Sequence, residues 1–241
     1  MSVEKLKAIL TNSSNIVFFG GAGVSTESNI PDFRSESGIY QTKSKYGYSP
    51  EYMLSHSYFM DHTEEFYDFY KTQMIYKDAK PNPAHIALAR LEQEGKLKAI
   101  ITQNIDGLHQ QAGSKNVLEL HGSVQRNYCM KCNEAFNLDY ILNTNSAPKC
   151  DICNGIVKPD VVLYEEMLNE DILNKAVHAI SKADVLMIGG TSLAVYPAAG
   201  LVEYYKGNKL VLINLSATPY DNRADLIIRE SIGKVLQEAV S

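Results

Sequence analysis

The chain has 241 residues, of which 45% are hydrophobic and 21% charged, and its formal net charge at pH 7 is −5. This length fits one large α/β domain, or a large domain that carries a small one. The mild negative charge argues against bulk binding to nucleic acid, and neither a signal peptide nor a membrane-spanning run is recognisable, which predicts a cytoplasmic protein without membrane partners.

The first part of the chain predicts a nucleotide-binding turn. A short helix over 3–11 precedes an apolar strand, Ile16 to Phe19, which runs into Gly20-Gly21-Ala22-Gly23-Val24-Ser25-Thr26. Such a turn, with a helix N-terminus behind it, lets backbone N–H groups approach a pyrophosphate. Only Gly21 and Gly23 fit the dinucleotide spacing, so a tight turn with glycines at positive φ explains this segment equally well.

A loop without clear periodicity, from Ser28 to about Tyr48, follows that turn. Its Asp-Phe-Arg triplet at 32–34 offers a carboxylate, an aromatic lid and a guanidinium, although an ordinary surface loop with one buried Phe is the alternative. The length of the loop favours a functional role. Helical patterns over 50–77, with an aromatic stripe that predicts core packing, and over 83–94 come next.

Polar side chains crowd the end of the central strand, which stops near Thr102. Gln103, Asn104 and Asp106 follow directly, and a second strand, Val117 to Leu120, ends in His121. Ligands of parallel sheets bind outside the carboxyl ends of the strands. We therefore expect a sugar-binding group of amides and carboxylate beside an imidazole that is suited to proton transfer.

Four cysteines form two Cys-x-x-Cys pairs, Cys129 with Cys132 and Cys150 with Cys153. Two such pairs at this separation predict a tetrahedral zinc site, because four unrelated buried thiols would have to fall into close pairs by coincidence. All four ligands are cysteines, so the zinc is predicted to be structural and to hold together an insertion that is too small for its own core.

The rest of the chain alternates strands and helices. The predicted strands are 159–164, 184–188, 210–213 and 226–228, and the predicted helices are 169–182, 197–205 and one from Glu230. Gly189-Gly190-Thr191-Ser192 and Asn214 follow two of these strands. The alternation predicts an α/β fold with a doubly wound parallel, Rossmann-like sheet.

These motifs together resemble the sirtuins, the NAD-dependent protein lysine deacylases, over nearly the whole chain. The matching segments are Gly21-Ala22-Gly23-Val24-Ser25, Ile30-Pro31-Asp32-Phe33-Arg34, Thr102-Gln103-Asn104-Ile105-Asp106, His121-Gly122, both cysteine pairs, Pro159-Asp160-Val161-Val162, Gly190-Thr191-Ser192 and Ile213-Asn214. The resemblance implies that NAD is a co-substrate and that the acetyl group of a protein lysine is transferred to ADP-ribose. It also implies acetyl-lysine proteins or peptides as partners.

The resemblance assigns roles to individual residues. His121 becomes the general base, and Asn104 and Asp106 hold the ribose and nicotinamide side. Ile105 and Asp106 receive the carboxamide, and Phe33 shields the reacting face. The other dinucleotide-binding residues are then Ala22, Thr26, Arg34, Gln103, Thr191, Ser192, Asn214 and Ile232. The residues that flank the substrate peptide through their backbone are Val161, Val162, Leu163, Tyr164, Leu193 and Val195.

The resemblance also implies a division into three parts. These are a large Rossmann-like domain (about 1–48, 80–122 and 159–241), a helical insertion (about 49–79) and a zinc module (about 123–158). Three positions depart from the family pattern: Asn29 replaces a usual glycine, Tyr164-Glu165-Glu166 replaces Phe-Gly-Glu, and Tyr70 stands where desuccinylating relatives have arginine. Asparagine tolerates left-handed φ, so we expect the loop at Asn29 to be kept.

Two other functions fit part of the pattern. A mono-ADP-ribosyltransferase would use the same NAD site with a different acceptor, and a nucleotide sensor would bind without turnover. His121 beside Asn104 and Asp106 disfavours the sensor, because binding alone requires no base at that edge.

Overall fold

The computed structural model describes residues 2–32 and 47–241. The strands are β1 (Ile16–Gly20), β2 (Leu97–Thr102), β3 (Val117–Glu119), β4 (Gly122–Cys129), β5 (Ala135–Asn137), β6 (Val157–Val161), β7 (Val185–Gly189), β8 (Leu210–Ile213) and β9 (Leu226–Ile228). The α-helices are α1 (Ser2–Thr11), α2 (Pro50–Met53), α3 (His56–Asp61), α4 (Thr63–Gln73), α5 (Pro83–Gln93), α6 (Leu108–Gln111), α7 (Leu138–Leu142), α8 (Glu170–Lys182) and α9 (Ile232–Val240). No helix among these residues is long and apolar enough to cross a membrane.

A six-stranded parallel sheet in the order β3-β2-β1-β7-β8-β9 forms the centre of the molecule. The chain builds outward from β1 in one direction and from β7 in the other, so the order reverses between these two strands. Both are fully buried runs, as expected for strands covered on both faces. The predicted doubly wound sheet is confirmed, and its switch point lies between β1 and β7.

Helices cover both faces of this sheet. On one face α1, α5 and α9 bury side chains such as Leu6, Leu88 and Leu236 against β1 and β7. On the other, α8 contributes Ala176 and Ile180. The two layers leave only the strand ends open, and the carboxyl ends of the inner strands therefore form the floor of any ligand site.

The strand predicted over 159–164 is β6, and it does not join the parallel sheet. It pairs antiparallel with β4 in a separate three-stranded sheet of order β5-β4-β6. Pro159 lacks a backbone N–H, which suits the edge position that β6 occupies in this small sheet. The prediction from the alternation of strands and helices, that this segment joins the parallel sheet, is therefore wrong.

The aromatic stripe of the insertion packs in a core, as predicted. Phe66, Tyr67 and Tyr70 of α4 are buried in one cluster with Val157 and Ile141 of the zinc module. The helical pattern over 50–77 is divided into α2, α3 and α4. The hydroxyls of Ser49 and Ser55 cap α2 and α3, so the chain begins a new helix after Ser55. The insertion and the zinc module therefore share their hydrophobic core.

Candidate functional site

A cavity of about 590 Å³ opens at the carboxyl edge of the parallel sheet, beside the switch point. That volume is in the range of small-molecule sites. The predicted site residues that line it are Ala22, Thr26, Gln103, Asn104, Ile105, Asp106, His121, Val161, Val162, Leu163, Tyr164, Thr191, Ser192, Val195, Asn214 and Ile232. Phe33 and Arg34 lie outside the described residues. Leu193 is 2% exposed and packs in the core beneath α8 instead of lining the cavity.

The glycine-rich turn packs directly against the turn that follows β7. A Cβ on Gly23 would come within 2.8 Å of the Cα of Gly190, and one on Gly21 within 2.8 Å of the Thr191 side chain. Gly190 has φ +60, whereas neither glycine of the first turn has positive φ. Close backbone approach, not positive φ, is therefore why glycine is required there.

The glycine-rich turn and the residues behind it do not form the predicted helix. They form two single 3₁₀ turns, Ala22–Val24 and Thr26–Ser28, the second of which ends at Asn29 with φ 61. The expectation that asparagine keeps the left-handed conformation is confirmed. Because no regular helix begins here, a phosphate bound at this turn would contact the backbone of the 3₁₀ turns and the glycines instead of a helix N-terminus.

Ser25 connects the first turn to the residues after β2. Its hydroxyl donates to Asp106 Oδ2 at 2.7 Å and accepts from Asn104 Nδ2 at 3.0 Å. Asp106 Oδ1 accepts from the Leu108 backbone N–H at 2.9 Å and so starts α6. Burial raises the pKa of Asp106, and the two hydrogen bonds partly oppose that rise. This network fixes Asn104 and Asp106 at the cavity wall.

A second network joins the ends of β2, β7 and β8. Gln103 Nε2 donates to Thr191 Oγ1 at 3.1 Å. The Thr191 backbone N–H donates to Asn214 Oδ1 and Asn214 Nδ2 donates to the Thr191 carbonyl, each at 3.0 Å. Three strand ends are thereby held in register at the predicted dinucleotide side of the cavity.

His121 presents one ring nitrogen to the cavity. Its Nδ1 lies 2.9 Å from the Gln103 carbonyl oxygen. A carbonyl only accepts, so Nδ1 carries the proton and Nε2 is left as the basic nitrogen. Burial lowers the pKa of His121, and the bond to Gln103 partly offsets this. At neutral pH the ring is therefore an uncharged base.

The rim near Tyr164 is tied to the helical insertion. The Tyr164 backbone N–H donates to the Leu54 carbonyl at 3.0 Å, and the Tyr164 carbonyl accepts from the His56 N–H at 2.9 Å. Glu165 has φ 75, and its carboxylate accepts from both the backbone N–H and the hydroxyl of Ser57. Those contacts compensate for placing a non-glycine residue in this conformation.

Several cavity residues were absent from the sequence-based site. They include Ser25, Leu54, Met74 and Glu230. Ser25 stands within the glycine-rich motif and could have been selected for its hydroxyl. Leu54 and Met74 carry only an apolar helical pattern, which does not distinguish a cavity wall from a core.

The four cysteine sulfurs lie within 4.8 Å of one another. Cys129 Sγ is 3.4 Å from Cys153 Sγ, and Cys132 Sγ is 3.6 Å from Cys150 Sγ. A tetrahedral zinc with Zn–S bonds of about 2.3 Å requires edges of about 3.8 Å, so the thiols fit this ion. The donor set leaves no position for a substrate, which makes the site structural.

Both cysteine pairs use the same local turn. An asparagine follows the second cysteine of each pair, Asn133 with φ 60 and Asn154 with φ 57. The N–H of each asparagine donates to the carbonyl of the first cysteine, at 2.9 and 2.8 Å. This repetition indicates two equivalent metal-binding turns facing each other.

Comparisons with known proteins agree along the chain. A sequence model of the Sir2 family matches residues 21–197. The NAD-dependent protein deacetylase of Clostridium tetani is 70% identical over 234 residues, which is 97% of this chain and 95% of that protein. The corresponding protein of Clostridium acetobutylicum is 65% identical over 239 residues, 99% of this chain and 98% of that one.

Solved structures give the same picture. A structure described as a basis for the mechanism and regulation of Sir2 enzymes superposes with a TM-score of 0.89 at 40% identity, covering 99% of this chain and 96% of that chain. A Sir2 complex with a p53 peptide and NAD+ superposes with a TM-score of 0.85 at 40% identity, covering 98% and 96%.

Proposed function

This chain belongs to the Sir2 family, and on that premise we propose that it removes acetyl groups from lysine side chains of proteins in an NAD-dependent reaction. The observation that carries the proposal is the cavity that brings His121, Asn104 and Asp106 together with the glycine-rich turn at one sheet edge. The products are nicotinamide, O-acetyl-ADP-ribose and the deacetylated lysine.

The residues of the cavity fit NAD. When bound, NAD supplies a ribose carbon that accepts the acyl oxygen as nicotinamide leaves. Gly21 and Gly23 give the close backbone wall that a pyrophosphate needs, and Gln103, Thr191 and Asn214 offer amides and hydroxyls for the sugar and adenine end. Ala22, Thr26, Ser192 and Ile232, with Phe33 and Arg34, complete the proposed dinucleotide site.

His121 is the proposed general base. Its Nε2 is free to accept a proton from a hydroxyl on the cavity side, because Nδ1–H is engaged with Gln103. Asn104 and Asp106, held by Ser25, are proposed to orient the ribose and nicotinamide side, and Ile105 and Asp106 to receive the carboxamide. Phe33 is proposed to shield the reacting face.

An acetylated peptide is the proposed partner. It would lie extended between the segments Val161 to Tyr164 and Leu193 to Val195 and bind mainly through backbone. The segment at Tyr164 is held by Leu54 and His56, so this side of the groove is preformed. The contact of Leu193 is through its backbone, because its side chain is buried.

We further propose that the molecule divides as the family does, into a large domain (about 1–48, 80–122 and 159–241), a helical insertion (about 49–79) and a zinc module (about 123–158). The two separate sheets support this division, with β6 crossing the last boundary. Cytoplasmic location is proposed because paired free cysteines keep their thiols, and their metal, in a reducing compartment.

One mass-spectrometric experiment tests the activity. An acetyl-lysine peptide is incubated with the protein, with and without NAD. Loss of the acetyl group that depends on NAD is the expected result. Gain of ADP-ribose on the peptide or protein would identify a mono-ADP-ribosyltransferase instead, and an unchanged spectrum would contradict both enzymes.

A further inference from the structure

The proposed base and the proposed peptide segment are in direct backbone contact. The carbonyl of His121 accepts from the Val162 N–H at 3.0 Å. Gly122, the next residue, has φ +76, and a Cβ there would collide with the Asp160 carbonyl oxygen. His121 follows β3 of the large sheet, whereas Val162 follows β6 of the small one. The position of a bound peptide relative to the base therefore depends on how the end of β6 is held.

The pairing of β4 with β6 is interrupted beside this contact. The register pairs on the two sides of the interruption are Gly122 with Val161 and Asn127 with Pro159. The four β4 residues between them, 123–126, stand opposite Asp160 alone. Extra residues in one strand of an antiparallel pair disrupt the hydrogen-bond ladder locally, often next to active sites. The regular ladder is therefore missing at Asp160, which directly precedes the proposed peptide segment.

The side chain of Arg126 bridges this interruption. Its Nε donates to Asp160 Oδ2 and its Nη1 donates to Glu119 Oε2, each at 2.7 Å. The other Glu119 oxygen accepts from Gln110 Nε2 at 2.8 Å. Glu119 lies two residues before His121 in the chain. One guanidinium thus connects the backbone that leads to the proposed base with the backbone that leads to the proposed peptide segment.

The three charged groups differ in exposure. The side chain of Glu119 is 7% exposed, whereas those of Arg126 and Asp160 are 42% and 40% exposed. A buried carboxylate needs a partner, so the bond of Arg126 to Glu119 supports the fold. Ion pairs in solvent-screened surroundings contribute little to stability, so the bond to Asp160 does not. That bond instead fixes position, because a planar guanidinium holds its carboxylate partners in a set geometry.

We propose, on the basis of the proposed deacylation, that Arg126 is a positioning residue that holds the peptide segment at a fixed distance from His121. Neither Arg126 nor Asp160 is among the described residues that line the cavity, so both act through the backbone of the segment. A peptide that binds through backbone moves with the segment that carries it. Misplacement of reacting groups by about 1 Å can lower a rate by about 10²-fold.

The test uses variants that cut the bond to Asp160 while the buried carboxylate stays compensated. Arg126→Lys keeps a positive charge for Glu119, but its single ammonium lacks the fork that bridges two carboxylates. Asp160→Ala removes the half-exposed carboxylate and leaves Arg126 paired with Glu119. Arg223→Lys is the matched control, because Arg223 forms an ion pair with Glu203 at 2.7 Å and neither residue lines the cavity.

Two measurements are made on each protein. The Kd of an acetyl-lysine peptide, read by fluorescence anisotropy without NAD, should rise about two- to fivefold in both variants, the contribution of one partly exposed ion pair. The kcat/KM for the same peptide should fall by more, because the peptide that binds is misplaced. The KM for NAD and the melting temperature should stay those of the wild type. The double variant should match Asp160→Ala, since both changes cut one contact.

A peptide Kd equal to that of the wild type in both variants would overturn the assignment. A lower kcat with unchanged Kd and KM would also overturn it, because that pattern reports a smaller folded fraction and a purely structural role. Additive losses in the double variant would show that the two residues do not act through one contact. A wild type that binds the peptide without deacetylating it would contradict the proposed function, while the Kd values still decide the positioning role.

Discussion

The cavity and the zinc module owe their order to different interactions. The cavity lies at the end of a sheet whose inner strands are buried on both faces, and its polar side chains hold one another through Ser25, Asp106 and Thr191. The zinc module has a small three-stranded sheet, in which both ends of β5 are exposed, and four clustered thiols. Substitutions at the cavity should therefore change catalytic activity without destabilising the fold, whereas loss of the metal should destabilise the fold.

The largest effect is expected from removing a zinc ligand. Structural zinc contributes about 10–16 kcal/mol of binding free energy in small domains, and most of it depends on all four ligands. Cys129→Ala should lose both metal content, by elemental analysis, and thermal stability. Met130→Ala changes an exposed side chain of the same turn and is the control. Full metal content with unchanged melting in the cysteine variant would contradict a structural zinc.

The converse experiment removes the base from the cavity. His121→Ala should lower kcat by about two to four orders of magnitude, the usual contribution of a positioned base. Zinc content and melting temperature should remain those of the wild type, and NAD binding should stay measurable by calorimetry. His178→Ala, at an exposed position on α8, is the matched control. Turnover close to wild type in His121→Ala would exclude the role.

Two buried histidines, one on α5 and one on α6, should make the large domain sensitive to acid. The rings of His85 and His109 lie 4.7 Å apart, and burial lowers their pKa values from 6.5 to about 4 and about 3, with His85 further lowering that of His109. In the unfolded chain these histidines bind protons below about pH 6.5. In the folded protein they bind protons only at about pH 4 and about pH 3. Their contribution to stability is thus present above pH 6.5 and is lost as pH falls toward 4.

The measurement is the urea midpoint between pH 7 and 4.5. Each pKa unit corresponds to about 1.4 kcal/mol. The two histidines should therefore lower the free energy of unfolding by several kcal/mol between pH 7 and pH 4.5. His109→Phe removes one titrating ring while filling its space and should flatten the profile. The raised pKa of Asp106 acts in the opposite direction in both proteins, so their difference isolates the histidine. Parallel profiles would show that the histidines do not determine the acid response.

The smallest effect concerns acyl charge. Acetyl-lysine should be preferred over succinyl-lysine by at least about tenfold in kcat/KM, because a neutral tyrosine hydrogen bond replaces a charged one. Lys71 does not compensate, since its Nζ donates to the carbonyls of Thr144 and Ser146. Tyr70→Arg should reduce the difference in kcat/KM between the acetyl and succinyl peptides. Equal wild-type rates on matched acetyl and succinyl peptides would refute this argument.

The two regions also differ in how far the sequence revealed them. The cysteine pairs are local, and each turn closes within a few residues, so spacing alone predicted the cluster that the structure brings together. The strand ends at His121, Thr191 and Asn214 were likewise predicted from short motifs. The pairing of β6 with β4 was not, because an apolar run does not specify which strand it joins.

The sequence by itself determined the strands of the parallel sheet, the order of their ends and the metal ligands, since backbone preference and ligand spacing act over short distances. It did not determine the type of every helix, because the helix predicted over 197–205 is a 3₁₀ helix, Ala198–Tyr204. Only the tertiary structure decided that Ser25 joins Asp106, 81 positions away, and that Gly23 packs against Gly190. It also decided that the Tyr67 hydroxyl meets the Val157 carbonyl, whereas the Tyr70 hydroxyl has no hydrogen-bond partner among the described residues. These facts depend on which surfaces meet after packing, and hydrophobic burial is non-directional, so a pattern of apolar residues does not encode the pairing of particular polar atoms.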